Sequence, residues 1–280
     1  MGSGRIAIFG GRGMLGTDLA AEVCRRGYAV SAYDLPEFDV TDRRQVADAL
    51  AGVDAAINCA AYTNVDGAET NAEWAHRVNG QAVGDMGVLA REAGVWVLHF
   101  STDFVFDGAL DRPYVESDTP NPINEYGRSK LAGERAFAES GCSGSVVRLE
   151  WTYGTHGNNF VSKLIGRAAG GETARVVDDQ VGSPTATTEV ARMACDLLGQ
   201  RAEGLFHFAA GGHVSRFEIA RFIFEQRGLT NELLPCRTAD YVTPAQRPLN
   251  SRFDCTKIQG LLSEPIEPWQ EPLTRFLRTL

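Results

Sequence analysis

The stretch RIAIFGGRGMLG at residues 5–16 decides the fold. Five mostly apolar residues run into glycines, and apolar residues then recur at helical spacing through residue 26. Gly27 ends that predicted helix, as glycine commonly does at a helix C-terminus. The pattern therefore predicts a buried strand, a glycine-rich turn and a helix.

Strands and helices continue to alternate through the first half of the chain. Strands are predicted at residues 28–33, 53–58, 95–100 and 145–149. Helices are predicted at 42–50, 74–93 and 122–140, the last with Asn121 as N-cap and Pro122 as its first residue. Because parallel strands need crossover connections, this order predicts an α/β fold, a Rossmann-type doubly wound parallel sheet.

The glycine turn has the spacing of a phosphate-binding loop. It contains GxxGxxG from Gly10 and GxGxxG from Gly11, which let a pyrophosphate approach the backbone at the helix N-terminus. Asp34 ends the next strand, where an acidic side chain binds the ribose hydroxyls of an adenosine. We expect NADH or NADPH as cofactor, with NADH used at least equally, because Asp34 repels a 2′-phosphate and Arg12 offsets that repulsion.

A second constellation follows the fourth strand. Thr102 lies at the strand end, where ligands of open α/β sheets bind, and Tyr126 and Lys130 share one face of the next helix. A lysine ammonium about 5 Å from the phenol would favour the phenolate by about 3 kcal/mol, or about two pKa units. This spacing predicts that Tyr126 exchanges a proton with the substrate, with a pKa lowered by Lys130.

The alternation loosens after residue 150. Helices are predicted at 159–169, 187–198 and 216–227, a strand at 205–208 and a loop at 238–254. We therefore expect a dinucleotide-binding domain at residues 1–158. Residues 159–280 would form a smaller, mainly substrate-binding lobe, with some segments returning to the sheet.

Composition narrows the class of protein. The 280 residues are 44% hydrophobic and 22% charged, as in ordinary globular chains. A net charge of −9 argues against a nucleic-acid partner. No apolar stretch is long enough for a membrane span and the N-terminus lacks a signal-peptide core, so a cytoplasmic protein without a membrane partner is expected. The six cysteines lack metal-ligand spacing, and no metal site is predicted.

Several longer motifs resemble those of the extended short-chain dehydrogenase/reductases, and more narrowly the dTDP-4-dehydrorhamnose reductase family. They cover nearly the whole chain in family order: NCAAYTNVD at 58–66, STDFVFDG at 101–108, NEYGRSKLAGE at 124–134, RLEWTYG at 148–154, GNNF at 157–160, DQVGSPT at 179–185 and RPLNS at 247–251.

The resemblance implies reduction of the 4-keto group of a nucleotide-linked, dTDP-type 4-keto-6-deoxyhexose. It makes Thr102, Tyr126 and Lys130 catalytic. Cofactor contacts are implied at Gly10, Gly13, Met14, Leu15, Asp34, Asp39, Val40, Ala60 and Ala61, and at Tyr126 and Lys130. Substrate contacts are implied for the sugar at Thr63, Val65, Asp103, Phe104 and Trp151, and for the nucleotide end at Asn159 and Arg247.

Two departures from the family pattern concern the sugar pocket. The family usually has tyrosine at Phe104 and a small residue at Glu150. The first change removes a hydroxyl from the pocket, and the second adds a carboxylate beside it. The identity of the sugar and the stereochemistry of the product therefore stay open.

Alternative interpretations remain at this stage. Trp151 could be a core aromatic, and Arg247 could be half of an ion pair instead of a pyrophosphate partner. The whole chain could be a non-catalytic NAD(P)-binding subunit that regulates a partner enzyme, although the intact trio argues against this. A dehydratase is disfavoured because Phe104 cannot supply a proton, and a homodimer is left open.

Overall fold

The computed structural model describes residues 4–280. The prediction that the N-terminus carries no leader partly concerns residues 1–3, which lie outside the described residues. The strands are β1 Arg5–Phe9, β2 Ala29–Tyr33, β3 Ala55–Asn58, β4 Trp96–Thr102, β5 Gly144–Leu149, β6 Thr152–Tyr153, β7 Ala174–Val177, β8 Val181–Gly182, β9 Thr185–Ala186, β10 Gly204–Phe208, β11 Val214–Ser215 and β12 Leu233–Cys236.

The helices are α1 Met14–Arg25, α2 Arg43–Leu50, α3 Val65–Ala68, α4 Ala72–His76, α5 Ala82–Ala93, α6 Glu125–Ser140, α7 Phe160–Ala169, α8 Thr187–Gln200, α9 Arg216–Arg227, α10 Thr256–Gln259 and α11 Gln270–Leu277. A π-helical turn, Arg77–Gln81, joins α4 to α5, and short 3₁₀ turns occupy Asp103–Val105 and Thr238–Asp240. No helix of the described residues is long and apolar enough to cross a membrane.

A six-stranded parallel sheet in the order β10-β5-β4-β3-β1-β2 forms the centre of the molecule. Phe9 at the end of β1 pairs with Tyr33 of β2 and Asn58 of β3, and Thr102 of β4 pairs with Leu149 of β5. Because all these strands run the same way, the segments that follow them leave at one edge. This confirms the predicted α/β fold and places the polar loops together.

Alternate residues of β1 face opposite layers of helices. Ile6 and Ile8 pack in a cluster with side chains of α1 and α8, whereas Ala7 and Phe9 pack with those of α2, α5 and α6. Such runs of buried residues are typical of strands covered on both faces.

A separate apolar cluster forms the smaller lobe from α7, β7, α9 and α11. Two elements of the second half belong to the sheet and its helix layers instead of the smaller lobe. Helix α8 packs against α1, and β10 extends the sheet beside β5. The second half of the chain thus contributes to both bodies.

Helix α6 begins later than predicted. The expected start at residues 121–122 is wrong, because Asn124 is the N-cap and its side chain accepts from the Gly127 amide at 2.7 Å. Asn121 instead donates its backbone N–H to the Val105 carbonyl and its side chain to Asp107. Two asparagines with capping chemistry lie three residues apart, and tertiary contacts select the second.

The single helix predicted at 74–93 is interrupted by the π turn. Asn79, fully buried in that turn, accepts from the Tyr62 amide and donates to the Tyr62 carbonyl and the Ser129 hydroxyl. The extra residue of the π turn places the Asn79 side chain within hydrogen-bond distance of Tyr62 and Ser129. The periodicity of apolar residues does not predict such an insertion.

Candidate active site

One cleft of about 700 Å³ opens at the carboxyl edge of the sheet. Every predicted cofactor residue lines it: Gly10, Gly13, Met14, Leu15, Asp34, Asp39, Val40, Ala60, Ala61, Tyr126 and Lys130. Five predicted sugar-binding residues line it as well: Thr63, Val65, Asp103, Phe104 and Trp151. Predicted residues that span positions 10–151 of the sequence thus meet in one cavity.

The turn at one end of this cleft has room only for glycine at Gly10, Gly11 and Gly16. A Cβ on Gly10, whose φ is +73°, would lie 2.6 Å from the Ala60 amide nitrogen, and one on Gly16 would lie 2.1 Å from the Gly10 carbonyl oxygen. No side chain caps the N-terminus of α1 that follows. Free helix amides and a close backbone suit a pyrophosphate, so the turn fits a dinucleotide.

Asp34 is held in place beside this turn. Its carboxylate accepts from the Arg12 amide and the Leu35 amide, each at 2.8 Å. The Arg12 guanidinium forms an exposed ion pair with Glu37 at 2.8 Å. A ribose ligand would therefore meet a fixed carboxylate, next to a cation that already has a partner.

The three residues predicted to be catalytic lie where β4 ends and α6 begins. The buried Lys130 amine donates to the Phe100 carbonyl at 2.6 Å. The Thr102 hydroxyl donates to Asp103 at 3.0 Å and accepts from the Phe104 amide at 3.2 Å. Tyr126 projects into the same cleft and packs edge-on against the Phe104 ring, with 5.9 Å between centroids.

The prediction that Lys130 lowers the pKa of Tyr126 is wrong. Burial raises the pKa of Tyr126 to about 12, and the Asp103 carboxylate contributes to this rise to a smaller extent. A hydrogen bond with the Thr102 hydroxyl lowers the pKa only slightly. Burial also lowers the pKa of Lys130 to about 8. Tyr126 is therefore a neutral phenol at physiological pH, which is the state that can give a proton.

Burial likewise raises the pKa of Asp103 to about 6. The Asp103 carboxyl accepts from Thr102 and from Ser251, which belongs to the loop before α10. This contact joins the second half of the chain to the end of β4.

Known proteins resemble this chain over nearly its full length. The sequence profile of the RmlD substrate binding domain family matches residues 4–280. The chain belongs to this family. A dTDP-4-dehydrorhamnose reductase of Mycolicibacterium smegmatis is 38% identical over 96% of this chain and 84% of its own.

Two further similarities cover almost every residue. A dTDP-4-keto-6-deoxy-D-glucose reductase of Streptomyces niveus is 38% identical over 97% of this chain and 96% of its own. The crystal structure of a dTDP-4-dehydrorhamnose reductase of Bacillus anthracis in complex with NADP superimposes with a TM-score of 0.95 at 32% identity, over all of both chains.

Two predicted substrate residues of this RmlD-family chain do not line the cleft. Asn159 caps α7 by accepting from the Ser162 amide at 3.0 Å, and it donates to the Gly154 carbonyl at 2.9 Å. Arg247 forms a two-pronged ion pair with Asp66, with 2.9 Å for each nitrogen–oxygen contact. Both side chains are engaged within the protein, and Asn158 lines the cleft instead of Asn159.

The expectation that Glu150 adds a carboxylate to the sugar pocket is wrong. It is fully buried, one of its oxygens accepts from the Ser183 amide, and it does not line the cleft. Burial raises the pKa of Glu150 well above its usual range, with a further contribution from Asp103. This side chain therefore lies behind the pocket wall.

Sequence reasoning missed one charged residue of the cleft. Arg216, the first residue of α9, lines it together with Trp151. The only local signal at this position is the capping box of Ser215 and Glu218, which predicts a helix start and no ligand. Within residues 4–280, no group of three or more metal-ligating side chains is arranged to hold a metal ion.

Proposed function

We propose that this protein reduces the 4-keto group of a dTDP-linked 4-keto-6-deoxyhexose, with NADH or NADPH as cofactor. The meeting of Thr102, Tyr126 and Lys130 beside the dinucleotide-binding turn carries this proposal. Reductases of this substrate class are among the relatives that share about a third of the sequence.

The residues divide the chemistry as follows. The glycine turn would hold the pyrophosphate and Asp34 the adenosine ribose of a bound NADH or NADPH, which would supply a hydride to the ketone carbon and leave as NAD⁺ or NADP⁺. Tyr126 gives its proton to the ketone oxygen, so that hydride and proton together turn the carbonyl into a secondary alcohol. The Thr102 hydroxyl turns from Asp103 to hold the same oxygen, and positioning by these side chains supplies much of the rate.

Phe104 bears on which sugar is preferred. Its ring lies against Tyr126 and offers no hydrogen-bond donor. A sugar hydroxyl buried there without a partner costs about 1 to 3 kcal/mol. We expect the preferred sugar to differ from the rhamnose precursor in stereochemistry or in lacking a hydroxyl.

Steady-state kinetics on a panel of dTDP-4-keto sugars, with product stereochemistry by NMR, tests the proposal. Efficient conversion of the rhamnose precursor would show that Phe104 is a tolerated change. If the protein folds and binds the cofactor but reduces no 4-keto sugar nucleotide, the proposal of an enzyme is wrong. The alternative of a non-catalytic regulatory subunit would then be favoured.

Tyr126→Phe tests the proton donor. We expect turnover to fall by about 10²-fold or more, the scale of a positioned general acid, while NADH still binds. Tyr28→Phe, outside the cleft, is the matched control. Normal turnover by Tyr126→Phe would remove the mechanism.

A further inference from the structure

Arg216 is fixed in the cleft by aromatic rings. Its guanidinium carbon lies 3.8 Å from the Trp151 ring centroid and 5.1 Å from that of Phe160, and the side chain is half-buried. A guanidinium stacked on aromatic faces keeps its plane, with its N–H donors directed outward in a rigid fork. The side chain is therefore oriented before any ligand arrives.

Among residues 4–280, this guanidinium forms no ion pair. No carboxylate oxygen of residues 4–280 lies within 4.0 Å of its nitrogens, whereas Arg12 reaches Glu37 at 2.8 Å and Arg247 reaches Asp66 at 2.9 Å. Nor does its guanidinium donate any of the hydrogen bonds formed within those residues. Its donors are free.

The neighbouring carboxyl groups are committed elsewhere. Asp103 accepts from Thr102 and Ser251, and Glu150 accepts from the Ser183 amide. Burial lowers the pKa of Arg216 to about 10, against the opposing influence of these two carboxyls, so it stays charged at neutral pH. Removing an unpaired charge from water is unfavourable unless a counter-charge arrives, and a neutral sugar hydroxyl brings none.

We propose that Arg216 binds the diphosphate of the sugar nucleotide. The inference rests on the proposed function, in which the diphosphate is the only anionic group of the substrate. A planar guanidinium fork matches two phosphate oxygens better than a point charge does. Arg216 thereby takes the role that sequence reasoning assigned to Arg247, whose charge Asp66 already neutralises.

The backbone at Trp151 supports a functional role for the stacked pair. Trp151 has φ of +42°, in the left-handed region that bulky residues rarely adopt. Such a conformation persists where its surroundings enforce it, commonly at ligand sites. Here it places the indole in contact with the guanidinium.

Calorimetric titration of dTDP and of thymidine into the full-length protein tests the proposal. Arg216→Gln is expected to weaken dTDP binding about 10- to 100-fold, as for loss of hydrogen bonds to a charged group, and to leave thymidine and NADH binding unchanged. Arg216→Lys should fall between wild type and Arg216→Gln. In turnover, the KM for the keto sugar nucleotide should rise with little change in kcat.

Arg221→Gln is the matched control, because Arg221 lies on the same helix and is exposed. Unchanged dTDP affinity in Arg216→Gln, an equal loss for thymidine, or a larger loss in Arg247→Gln would overturn the proposal. If Arg216→Gln does not fold, the dTDP and thymidine affinities of Arg216→Lys are compared with those of the wild type instead. An unchanged dTDP affinity in Arg216→Lys would then overturn the proposal.

The two proposals fail separately. Wild-type protein that binds dTDP through Arg216 but reduces no keto sugar nucleotide would overturn the proposed function alone. Normal turnover with an unchanged KM in Arg216→Gln would overturn the role of Arg216 alone.

Discussion

Lys130 is an amine enclosed by protein, and its surroundings set the working pH. Burial lowers its pKa to about 8, and Glu134, one turn further along α6, opposes that shift. We propose that the charged ammonium holds the nicotinamide ribose; this form exists below the pKa and is lost as pH rises through it. We therefore expect kcat/KM to fall above about pH 8, approaching tenfold per pH unit.

A pH profile of kcat/KM from about pH 6 to about pH 10 checks this limb. In Lys130→Arg the guanidinium stays charged, so whatever activity remains should lose the limb. A wild-type profile that is flat through pH 8 would contradict the assignment.

We expect Arg12 and Glu37 to influence the choice between NADH and NADPH. Glu37 forms an ion pair with the Arg12 guanidinium, which without it could bind the 2′-phosphate of NADPH. Asp34 suits the free 2′-hydroxyl of NADH. We expect Glu37→Gln to tighten NADPH binding about two- to fivefold, the scale of an exposed ion pair, and to leave NADH binding unchanged. Fluorescence titration measures both constants, with Arg12→Ala as the opposite control. Equal effects on the two cofactors would rule this pair out as a determinant.

Spacing within one helix predicted that Tyr126 and Lys130 share a face, and both side chains line the cleft. The partner of Arg247 could not be predicted, since Asp66 lies 181 residues away. Arg216 was missed for a related reason: it reaches the cleft from the smaller lobe, and only tertiary packing places it beside Trp151.

Among the elements, the π turn between α4 and α5 fixes the wall of the cleft. Asn79 ties the Tyr62 backbone to Ser129 on α6 by three hydrogen bonds at 2.8 to 3.0 Å. Strand and helix types followed from periodicity, but this turn did not, because one inserted residue leaves the apolar pattern nearly unchanged.

Asn79→Ala should lower the free energy of unfolding by about 2 to 3 kcal/mol, because it removes one buried hydrogen bond and leaves part-buried backbone groups of Tyr62 without partners. Urea denaturation followed by circular dichroism gives the value. Gln81→Ala, an exposed position of the same turn, is the control and should change stability by less than about 0.5 kcal/mol. Equal values for the two variants would show that the Asn79 bonds do not contribute.

At the scale of the molecule, both halves of the chain contribute to the core around the sheet. Alternating strands and helices predicted the doubly wound sheet, since each β-α-β unit is local in sequence. A boundary at residue 158 separates β10 from the sheet that it extends and α8 from the helix α1 on which it packs. The sequence predicted that some later segments return to the sheet, but local patterns do not say where each one packs.

A fragment of residues 1–158 should therefore not unfold cooperatively. It would leave the edge of β5 unpaired and expose the apolar face of α1 that α8 covers. Urea unfolding of the fragment, compared with the full chain, measures this. A sigmoidal transition with a midpoint near that of the full chain would show that residues 1–158 form an independent domain.

The return of β10 to the sheet also affects the chain during its synthesis. The sheet is not complete until residue 208 has been made, about 50 residues after the dinucleotide-binding segment. At about 5 to 20 residues per second, β5 stays without its partner β10 for about 3 to 10 s. We expect the nascent chain to depend most on chaperones that cover apolar surface during those seconds.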